Sequence, residues 1–159
     1  MARTILLAKL AAQPRSRSEL ADALAAKAVP DEVARALLDR FEDVGLVDDE
    51  AFAQAWVASR QTSRGLSRRA LSVELRRKGV DETVVRDTVD AVDEESERAA
   101  ARRLVDKKLR ATRTVEPQAR LRRLVGMLGR KGYPPSMAMQ VAKEALAAEA
   151  DQELPSSRS

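Results

Sequence analysis

The sequence predicts an all-α protein made of three tandem three-helix, helix-turn-helix-like repeats in an elongated curved array, and three observations support this prediction. Charged residues make up 34% of the 159-residue chain and aromatic residues only 3%, which is typical of exposed helices and not of sheets. Apolar residues recur four positions apart, the spacing of one helical face. One pattern of leucine, lysine and turn residues returns at steps of about 52 residues, a period that indicates stacked supersecondary units.

The internal repeat is clearest in the second helix of each unit, where two leucines four residues apart are followed by a lysine and a turn. The matched positions are Leu20, Leu71 and Leu124; Leu24, Leu75 and Leu128; and Lys27, Lys78 and Lys131. These matches predict repeats over residues 1–45, 46–92 and 93–148. We expect residues 149–159 to form a disordered tail, because they carry no apolar stripe.

The first repeat begins with a short apolar helix at residues 4–12, which ends near Pro14. Ser16 and Glu19 have the spacing of a capping box and begin the second helix. Pro30 suits the first turn of the third helix. The inward stripe of that helix is predicted to be Val33, Leu37 and Phe41.

Acidic residues at 48–50 begin the first helix of the second repeat, since negative charge is favourable at a helix N-terminus. A magnesium site is the alternative for this run, but successive helical residues diverge by about 100° and cannot converge on one cation alone. Phe52 lies on the same side of the helix as Trp56, which favours a core position for Trp56 over an exposed anchor or base-stacking role. Ser67 caps the next helix, and Gly79 ends it.

Acidic residues at 93–95 begin the long first helix of the third repeat, and Pro117 begins the second helix, which ends at Gly132. Gly126 and Gly129 share one face of this second helix, where they allow either close helix contact or a softer helix. A phosphate loop is not favoured there, because no strand precedes the glycines and the Lys-Ser/Thr ending is missing. The inward residues of the last helix are predicted to be Met137, Val141 and Ala145.

The chain contains neither cysteine nor histidine. Thiol and imidazole catalysis, the corresponding metal ligands and disulfide bonds are therefore excluded. No apolar run approaches the roughly 20 residues that a membrane-spanning helix needs. We expect no cofactor, no catalytic residue, no metal site and no membrane partner, and an enzyme is the least supported class of function.

Basic charge is concentrated in the middle of the chain. Residues 60–131 hold 20 Lys and Arg against 11 Asp and Glu. Between residues 98 and 131, only Asp106 and Glu116 offset 12 basic residues. Local compensation by acidic neighbours therefore fails, which predicts a surface that binds a polyanion or an acidic protein.

The predicted basic face begins with a wedge of Arg68, Arg69 and Arg76 beside the buried leucines of the second repeat. Phosphate contacts would make binding at this face steeply salt-dependent and nearly independent of nucleotide sequence. The few aromatic residues make base stacking a minor contribution. The predicted members of the face are Arg60, Arg64, Arg68, Arg69, Arg76, Arg77, Lys78, Arg102, Arg103, Lys107, Lys108, Arg110, Arg120, Arg122, Arg123, Arg130 and Lys131.

The central stretch from Gly45 to Gly79 contains, in this order, GLVDD from Gly45, FA at Phe52, WV at Trp56, Arg60, Gly65, EL at Glu74 and KGV from Lys78. This order of parts resembles the central motif of the RecX family, regulators of the RecA recombinase. The segments SRSELADALAAKAVPDEV and RRLVGMLGRKGYPPSMAMQVAKEAL are similar to the first and last units of that family. The resemblance covers about residues 3–147.

The resemblance implies a cytoplasmic, non-enzymatic protein that binds the RecA–DNA filament along its helical groove and inhibits recombinase, ATPase and coprotease activities. It also implies weak, sequence-independent binding to single- and double-stranded DNA, and we expect a monomer. Two departures from the family pattern carry expectations of their own. The paired glycines are expected to soften a helix of the last unit, and contacts made by the N-terminal extension of many relatives are expected to be absent.

The alternative function is a DNA-binding transcription regulator of helix-turn-helix type, with a basic helix in the major groove. Sequence preference separates the two functions. A groove-binding regulator prefers its own site over random DNA by roughly 4 kcal/mol or more, whereas a filament regulator is expected to show almost no preference.

Overall fold

The structure, a computed structural model, describes residues 1–156, with side chains described up to residue 153. Within that range the chain forms nine α-helices and no strand. The helices are α1 (Ala2–Ala12), α2 (Arg17–Ala26), α3 (Asp31–Asp43), α4 (Asp49–Arg64), α5 (Arg68–Arg77), α6 (Glu82–Asp90), α7 (Glu94–Ala111), α8 (Pro117–Arg130) and α9 (Pro135–Ser156). This order confirms the all-α prediction. In the described range, no helix combines the length and the apolar character that crossing a bilayer requires.

The helices pack into two compact units. The first unit contains Met1–Ala58 and Ser72–Val89, and the second contains Ser59–Leu71 together with the chain from Asp90 onwards. The division passes through α4 and α5, the first two helices of the second repeat. The repeat boundaries after residues 45 and 92 stay a prediction.

The first unit contains a core built from the leucines of the repeat pattern. Leu20 and Leu24 of α2 are fully buried with Leu6 of α1, and α3 packs against both helices. Burial of each leucine side chain contributes about 1.5–3 kcal/mol. These three short helices are therefore stabilised by tertiary packing more than by their own length.

Helix α3 buries a different face from the one predicted. Ala34, Leu38 and Phe41 are buried, whereas Val33 is 52% exposed and Leu37 is half-buried. The predicted inward position of Val33 is therefore wrong. Two adjacent apolar stripes with the same four-residue spacing run along this helix, so periodicity alone did not determine which of them meets the core.

The second unit contains a core between α7, α8 and α9. Leu124 and Leu128, the third copy of the repeated leucine pair, are buried there beside Val105 of α7. The prediction for the last helix is confirmed by three buried residues, Met137, Val141 and Ala145.

Each of the three repeats ends its second helix with the same left-handed turn. The backbone angle φ is 59° at Ala28, 77° at Gly79 and 93° at Gly132. The next amide donates to the carbonyl of the buried leucine five residues earlier. The N···O distances are 3.0 Å from Val29 to Leu24, 3.2 Å from Val80 to Leu75 and 3.1 Å from Tyr133 to Leu128. This is the hydrogen bond of a Schellman motif, so the sequence repeat is also a repeat of backbone geometry.

In both units, the start of one repeat's second helix contacts the turn of the following repeat. In the first unit, the Ser16 hydroxyl donates to the Lys78 carbonyl at 2.6 Å. In the second unit, the Ser67 amide donates to the Lys131 carbonyl at 3.1 Å. Both serines are fully buried. The equivalent positions of the repeat therefore form equivalent junctions.

An acidic side chain of the following repeat completes each junction. The Arg17 amide donates to Asp49 Oδ1 at 2.9 Å, and the Arg68 amide donates to Glu97 Oε2 at 2.7 Å. These amides begin α2 and α5, where they have no partner within the helix and where negative charge is favourable. Burial raises the pKa of Asp49, although its hydrogen bond from the Arg17 amide acts in the opposite direction.

Helix α9 corrects the prediction that the chain is disordered from residue 149, because the helix continues to Ser156. The stretch begins with several residues that favour helices, Glu149, Ala150, Gln152 and Glu153. Arg120 of α8 also holds the Glu149 carboxylate at 2.6 Å. A helix can therefore continue here without an apolar stripe. Residues 157–159 of the predicted tail lie outside the described residues.

Candidate functional site

The two units divide the predicted basic face. Arg76, Arg77 and Lys78 belong to the first unit, and the other predicted members belong to the second. Several members have partners within their own unit that fix their side chains. The members that are exposed and form no ion pair with another described residue are Arg64, Arg69, Arg77, Arg103, Lys107, Lys108, Arg110, Arg122, Arg123 and Arg130.

Arg120 is a structural residue, which corrects its predicted place in the basic face. Arg120 is 9% exposed, and its two terminal nitrogens donate to the Glu149 carboxylate at 2.6 and 2.9 Å. The remaining bonds go to the Thr112 hydroxyl at 3.1 Å and the Leu109 carbonyl at 2.7 Å. The same ion pair raises the pKa of Arg120 and lowers the pKa of Glu149. Four of the five N–H groups of this guanidinium are therefore engaged within the unit, which leaves at most one for an outside anion.

The predicted arginine wedge on α5 is largely occupied by ion pairs. Arg68 is half-buried and contacts the buried Glu97 carboxylate at 3.4 Å. Arg76 donates two hydrogen bonds to the Glu82 carboxylate, at 2.9 and 2.8 Å. Arg69 is exposed and forms no ion pair among the described residues. The surface pair of Arg76 is readily exchanged for another anion, whereas the pair of Arg68 is part of a repeat junction.

Lys78 is held in a small polar cluster of the first unit. Its ammonium lies 3.0 Å from Glu19 Oε2 and 4.8 Å from the centre of the Trp56 ring. The indole nitrogen donates to Glu74 Oε1 at 2.9 Å, and the Phe52 ring stacks on the indole at 5.8 Å between centroids. Trp56 is therefore half-buried with its polar edge satisfied: it stacks on Phe52, but it is not fully buried in the core as predicted.

The predicted capping box at Glu19 is present, with Ser16 and Glu19 bonded reciprocally at 3.1 Å. Burial alone would raise the pKa of Glu19. The Ser16 amide and the Lys78 ammonium outweigh that effect and lower it. Glu19 therefore joins a helix cap to a contact with the following repeat.

The acidic runs begin helices, as predicted. Asp48 accepts a hydrogen bond from the Ala51 amide at 3.1 Å, and Asp93 accepts one from the Ser96 amide at 2.7 Å. The Ser96 bond lowers the pKa of Asp93. The neighbouring Asp49 binds the start of α2 instead. Each of these carboxylates therefore satisfies backbone amides at a helix start.

Four free basic side chains meet in one place, a cleft between the end of α7 and the length of α8. We call it the basic cleft, and its volume is about 360 Å³. Its cations are Lys108 of α7 and Arg122, Arg123 and Arg130 of α8. Its remaining lining residues are Ala111, Thr112, Leu124, Gly126 and Met127, so no acidic side chain of the described residues lines it. An arrangement of this kind can bind a phosphate or carboxylate group through several charge-assisted hydrogen bonds.

Three family models match this chain in order. The first three-helix domain of RecX matches residues 2–41, the second matches residues 48–89 and the third matches residues 95–141. This chain belongs to the RecX family. Each of the three matches lies inside one of the predicted repeats, and the basic cleft lies within the third RecX domain.

Relatives of this RecX-family chain are similar over nearly all of its length. It is 51% identical to the regulatory protein RecX of Thermobifida fusca over 148 residues, which cover 93% of this chain and 80% of the relative. It is 52% identical to the regulatory protein RecX of Streptomyces lividans over 150 residues, with coverages of 94% and 80%. The sequence resemblance to RecX regulators is therefore confirmed.

Solved RecX structures share this fold. The crystal structure of RecX from Lactobacillus salivarius superposes with a TM-score of 0.81 at 17% identity, covering 91% of this chain and 94% of that chain. A crystal structure of a regulatory protein RecX gives a TM-score of 0.77 at 24% identity, with coverages of 90% and 70%. At such identities the similarity shows the fold alone, and it supports three three-helix domains.

The apolar floor of the basic cleft is the part of this RecX-family site that the sequence prediction missed. Arg123, Gly126, Met127 and Arg130 follow one another at intervals of three, one and three residues. On a helix this spacing places all four on one face. That pattern would have indicated a cleft with a basic rim and an apolar floor in place of a uniform basic surface.

The paired glycines of α8 do not form a close helix contact. A Cβ atom built on Gly129 has no described neighbour within 4 Å, and one on Gly126 meets only Arg130 Nη1, at 3.5 Å. We therefore expect Gly129→Ala to raise the free energy of unfolding by up to about 1 kcal/mol, because alanine favours the helix interior. Urea unfolding followed by circular dichroism measures this change. A fall in stability would contradict the finding that a Cβ atom on Gly129 has no close described neighbour.

Proposed function

We propose that this RecX-family chain is a non-enzymatic regulator that binds the RecA recombinase and RecA–DNA filaments. It inhibits recombinase, ATPase and coprotease activity in the cytoplasm and so modulates recombinational DNA repair and the SOS response. The observation that carries the proposal is the basic cleft inside the third RecX domain, where Lys108, Arg122, Arg123 and Arg130 meet and no acidic side chain is among the described lining residues. The comparisons do not favour a helix-turn-helix transcription regulator.

The basic cleft supplies the contact with nucleic acid. Its three arginines present planar, bidentate donors that suit phosphate oxygens. Phosphate contacts carry no base information, so binding to single- and double-stranded DNA is weak and independent of sequence. Arg64, Arg69, Arg103, Lys107 and Arg110 add exposed positive charge elsewhere in the same unit.

Regulation follows from a difference in affinity between filament states. A protein that binds an inactive RecA–DNA filament more tightly than an active one shifts the population toward the inactive state by that difference alone. A monomer with three tandem domains can contact neighbouring RecA subunits through different domains. The filament groove is the site where both RecA and DNA phosphates are within reach of one chain.

The test uses the variant Arg122→Gln, Arg123→Gln, Arg130→Gln in cosedimentation with preassembled RecA–single-stranded-DNA filaments. We expect binding at least about tenfold weaker at low salt, because three phosphate contacts and their released counterions are lost. The slope of log K against log salt is expected to fall by about 2 to 3 units. Inhibition of RecA-dependent ATP hydrolysis is expected to weaken in parallel.

The matched control removes three exposed positive charges from the first unit, as Lys9→Gln, Lys27→Gln, Arg35→Gln. It changes the net charge equally and is expected to bind filaments like the parent chain. Equal losses in both variants would mean that net charge, and not the basic cleft, is responsible. No cosedimentation of the parent chain at either of two salt concentrations would refute the proposed function itself.

A further inference from the structure

Exposed large apolar side chains are concentrated in the first 46 residues. Of the seven such residues in the described range, five lie before residue 47, and the other two are Val73 and Met139. The five are Met1 at 97% exposure, Leu7 at 43%, Val33 at 52%, Val44 at 70% and Leu46 at 50%. Exposed apolar patches on a charge-rich protein mark interaction sites more often than chance.

Helix α3 organises this patch, because it has a second apolar face. Ala34, Leu38 and Phe41 turn inward, while Val33 and Leu37 form a parallel stripe that ends at Val44 beyond the helix. The four-residue spacing of Val33 and Leu37 is the spacing of a helix face that packs against a core, although Val33 lies at the surface. The DNA contact assigned to the basic cleft makes no use of this stripe.

Two neighbouring clefts along this stripe share three lining residues, and together we call them the α3 groove. One cleft, of about 550 Å³, is lined by Val33, and the other, of about 320 Å³, by Val44 and Leu46. Leu37, Arg3 and Arg40 line both clefts. The two arginines are exposed and form no ion pair with another described residue.

The charges along the α3 groove are ordered. Arg3 and Arg40 lie where the two clefts meet, whereas Glu32 lines only the first cleft and Asp43 only the second. A ligand that fits this order is apolar along its length and acidic at its middle. From Val33 to Val44 is 11 residues, or about 16 Å at the helical rise, which matches roughly three turns of a bound helix.

We propose that the α3 groove is a docking site for an amphipathic helical segment of RecA, which inserts two or three apolar side chains and places a carboxylate between Arg3 and Arg40. This inference rests on the proposed function, because it takes RecA as the partner. It adds a protein contact, through the first 46 residues, that is separate from the phosphate contact of the basic cleft.

A second copy of the chain fits the groove less well. A twofold contact centred on Leu37 would bring Arg3 and Arg40 of both copies together, and like charges at an interface are unfavourable. An acidic partner avoids this repulsion. The order of charges therefore selects a different protein over self-association.

The test compares Val33→Ser, Val44→Ser with the matched control Val73→Ser, Met139→Ser, which removes the two exposed large apolar side chains that lie beyond residue 46 in the described range. All four substitutions are neutral and solvent-accessible, so they leave the charge and, by circular dichroism, the fold unchanged. We expect the groove variant to bind DNA-free RecA at least about tenfold more weakly than the parent chain, since two valines that the bound partner covers are lost. The control is expected to bind like the parent chain.

Several outcomes would overturn the inference. If the parent chain binds RecA and the groove variant binds equally well, the α3 groove is not the contact and the proposed function stands. If the control loses as much binding as the groove variant, the loss is not specific to the groove. If sedimentation velocity shows that the parent chain self-associates and that Val33→Ser, Val44→Ser abolishes this, the groove binds a second copy. If the parent chain binds neither free nor filamentous RecA, both proposals fail.

A charge variant tests the middle of the groove. Arg3→Gln, Arg40→Gln is expected to weaken binding to DNA-free RecA about tenfold at low salt and less at high salt, because a charge-assisted contact is lost and salt screens it. Unchanged binding of this variant would remove the carboxylate from the proposed contact and overturn the inference in its stated form.

Discussion

Gly132→Ala is expected to lower the free energy of unfolding by about 3 kcal/mol or more, since two separate costs add at this position. The backbone angle φ of +93° is unfavourable for any residue with a Cβ atom. The new Cβ would also overlap the Ser67 hydroxyl and lie 2.8 Å from Ala70 Cβ and 3.2 Å from the Ala70 amide nitrogen. The Ala70 backbone belongs to α5 and cannot shift without moving the repeat junction.

The repeat supplies a matched control for this prediction. Ala28 occupies the equivalent turn of the first repeat with φ of 59°, and Ala28→Gly is expected to be neutral or to stabilise by up to about 1 kcal/mol. Thermal unfolding of the full chain measures both changes. Gly132→Ala is expected to lower the melting temperature by about 6 °C or more, at roughly 2–4 °C per kcal/mol for a chain of this size. A melting temperature equal to that of the parent chain would contradict the close approach of α5.

The turn at Gly132 also shows why so much of the fold was predictable. Its determinants are local, because a Schellman turn, a capping box or an acidic helix start involves residues within about five positions of each other. Ser16 with Glu19, Asp48 and Asp93 all act as their neighbours in the sequence predict. Repetition of such local signals three times then indicated the order of the domains.

Which face of α3 packs against the core could not be predicted in the same way. Val33 with Leu37 and Ala34 with Leu38 have identical spacing, and only packing against α1 and α2 decides between them. A sequence with two apolar stripes contains more hydrophobic surface than its own core needs. The ambiguity in the sequence and the α3 groove in the structure therefore have one physical origin.

The prediction that Arg120 belongs to the basic face was wrong for a different reason. In sequence it is one arginine among several, and its partner Glu149 is 29 residues away on another helix. Nothing local marks such a pair, whereas Arg122 and Arg123, two and three positions further on, are exposed. Positive charge density was therefore predictable from sequence, and the choice between structural and free arginines was not.

Loss of the Arg120–Glu149 pair is expected to have the second large effect on stability. Arg120→Met is expected to lower the free energy of unfolding by about 3–5 kcal/mol, the usual cost of leaving a buried charge without its partner. The side chains of Arg120 and Glu149 are only 10% and 15% exposed. The Thr112 hydroxyl and Leu109 carbonyl also lose their bonds from the guanidinium. Arg123→Met, an exposed arginine of the same helix, serves as the control and is expected to change stability by less than about 0.5 kcal/mol.

Two further measurements separate the charge from the packing of this site. Glu149→Gln in the Arg120→Met background removes the uncompensated charge, so it is expected to recover part of the lost stability.

The pH dependence of stability is the second measurement. The ion pair lowers the pKa of Glu149 in the folded state. A carboxyl with a lowered pKa stabilises the fold at pH values above its unfolded pKa, which is near 4.5. The difference in stability between the parent chain and Arg120→Met is therefore expected to be full at neutral pH and to shrink as the pH falls below about 4.5. A difference that stays constant down to pH values near 3 would mean that Arg120 acts by packing its side chain and not by holding the Glu149 charge.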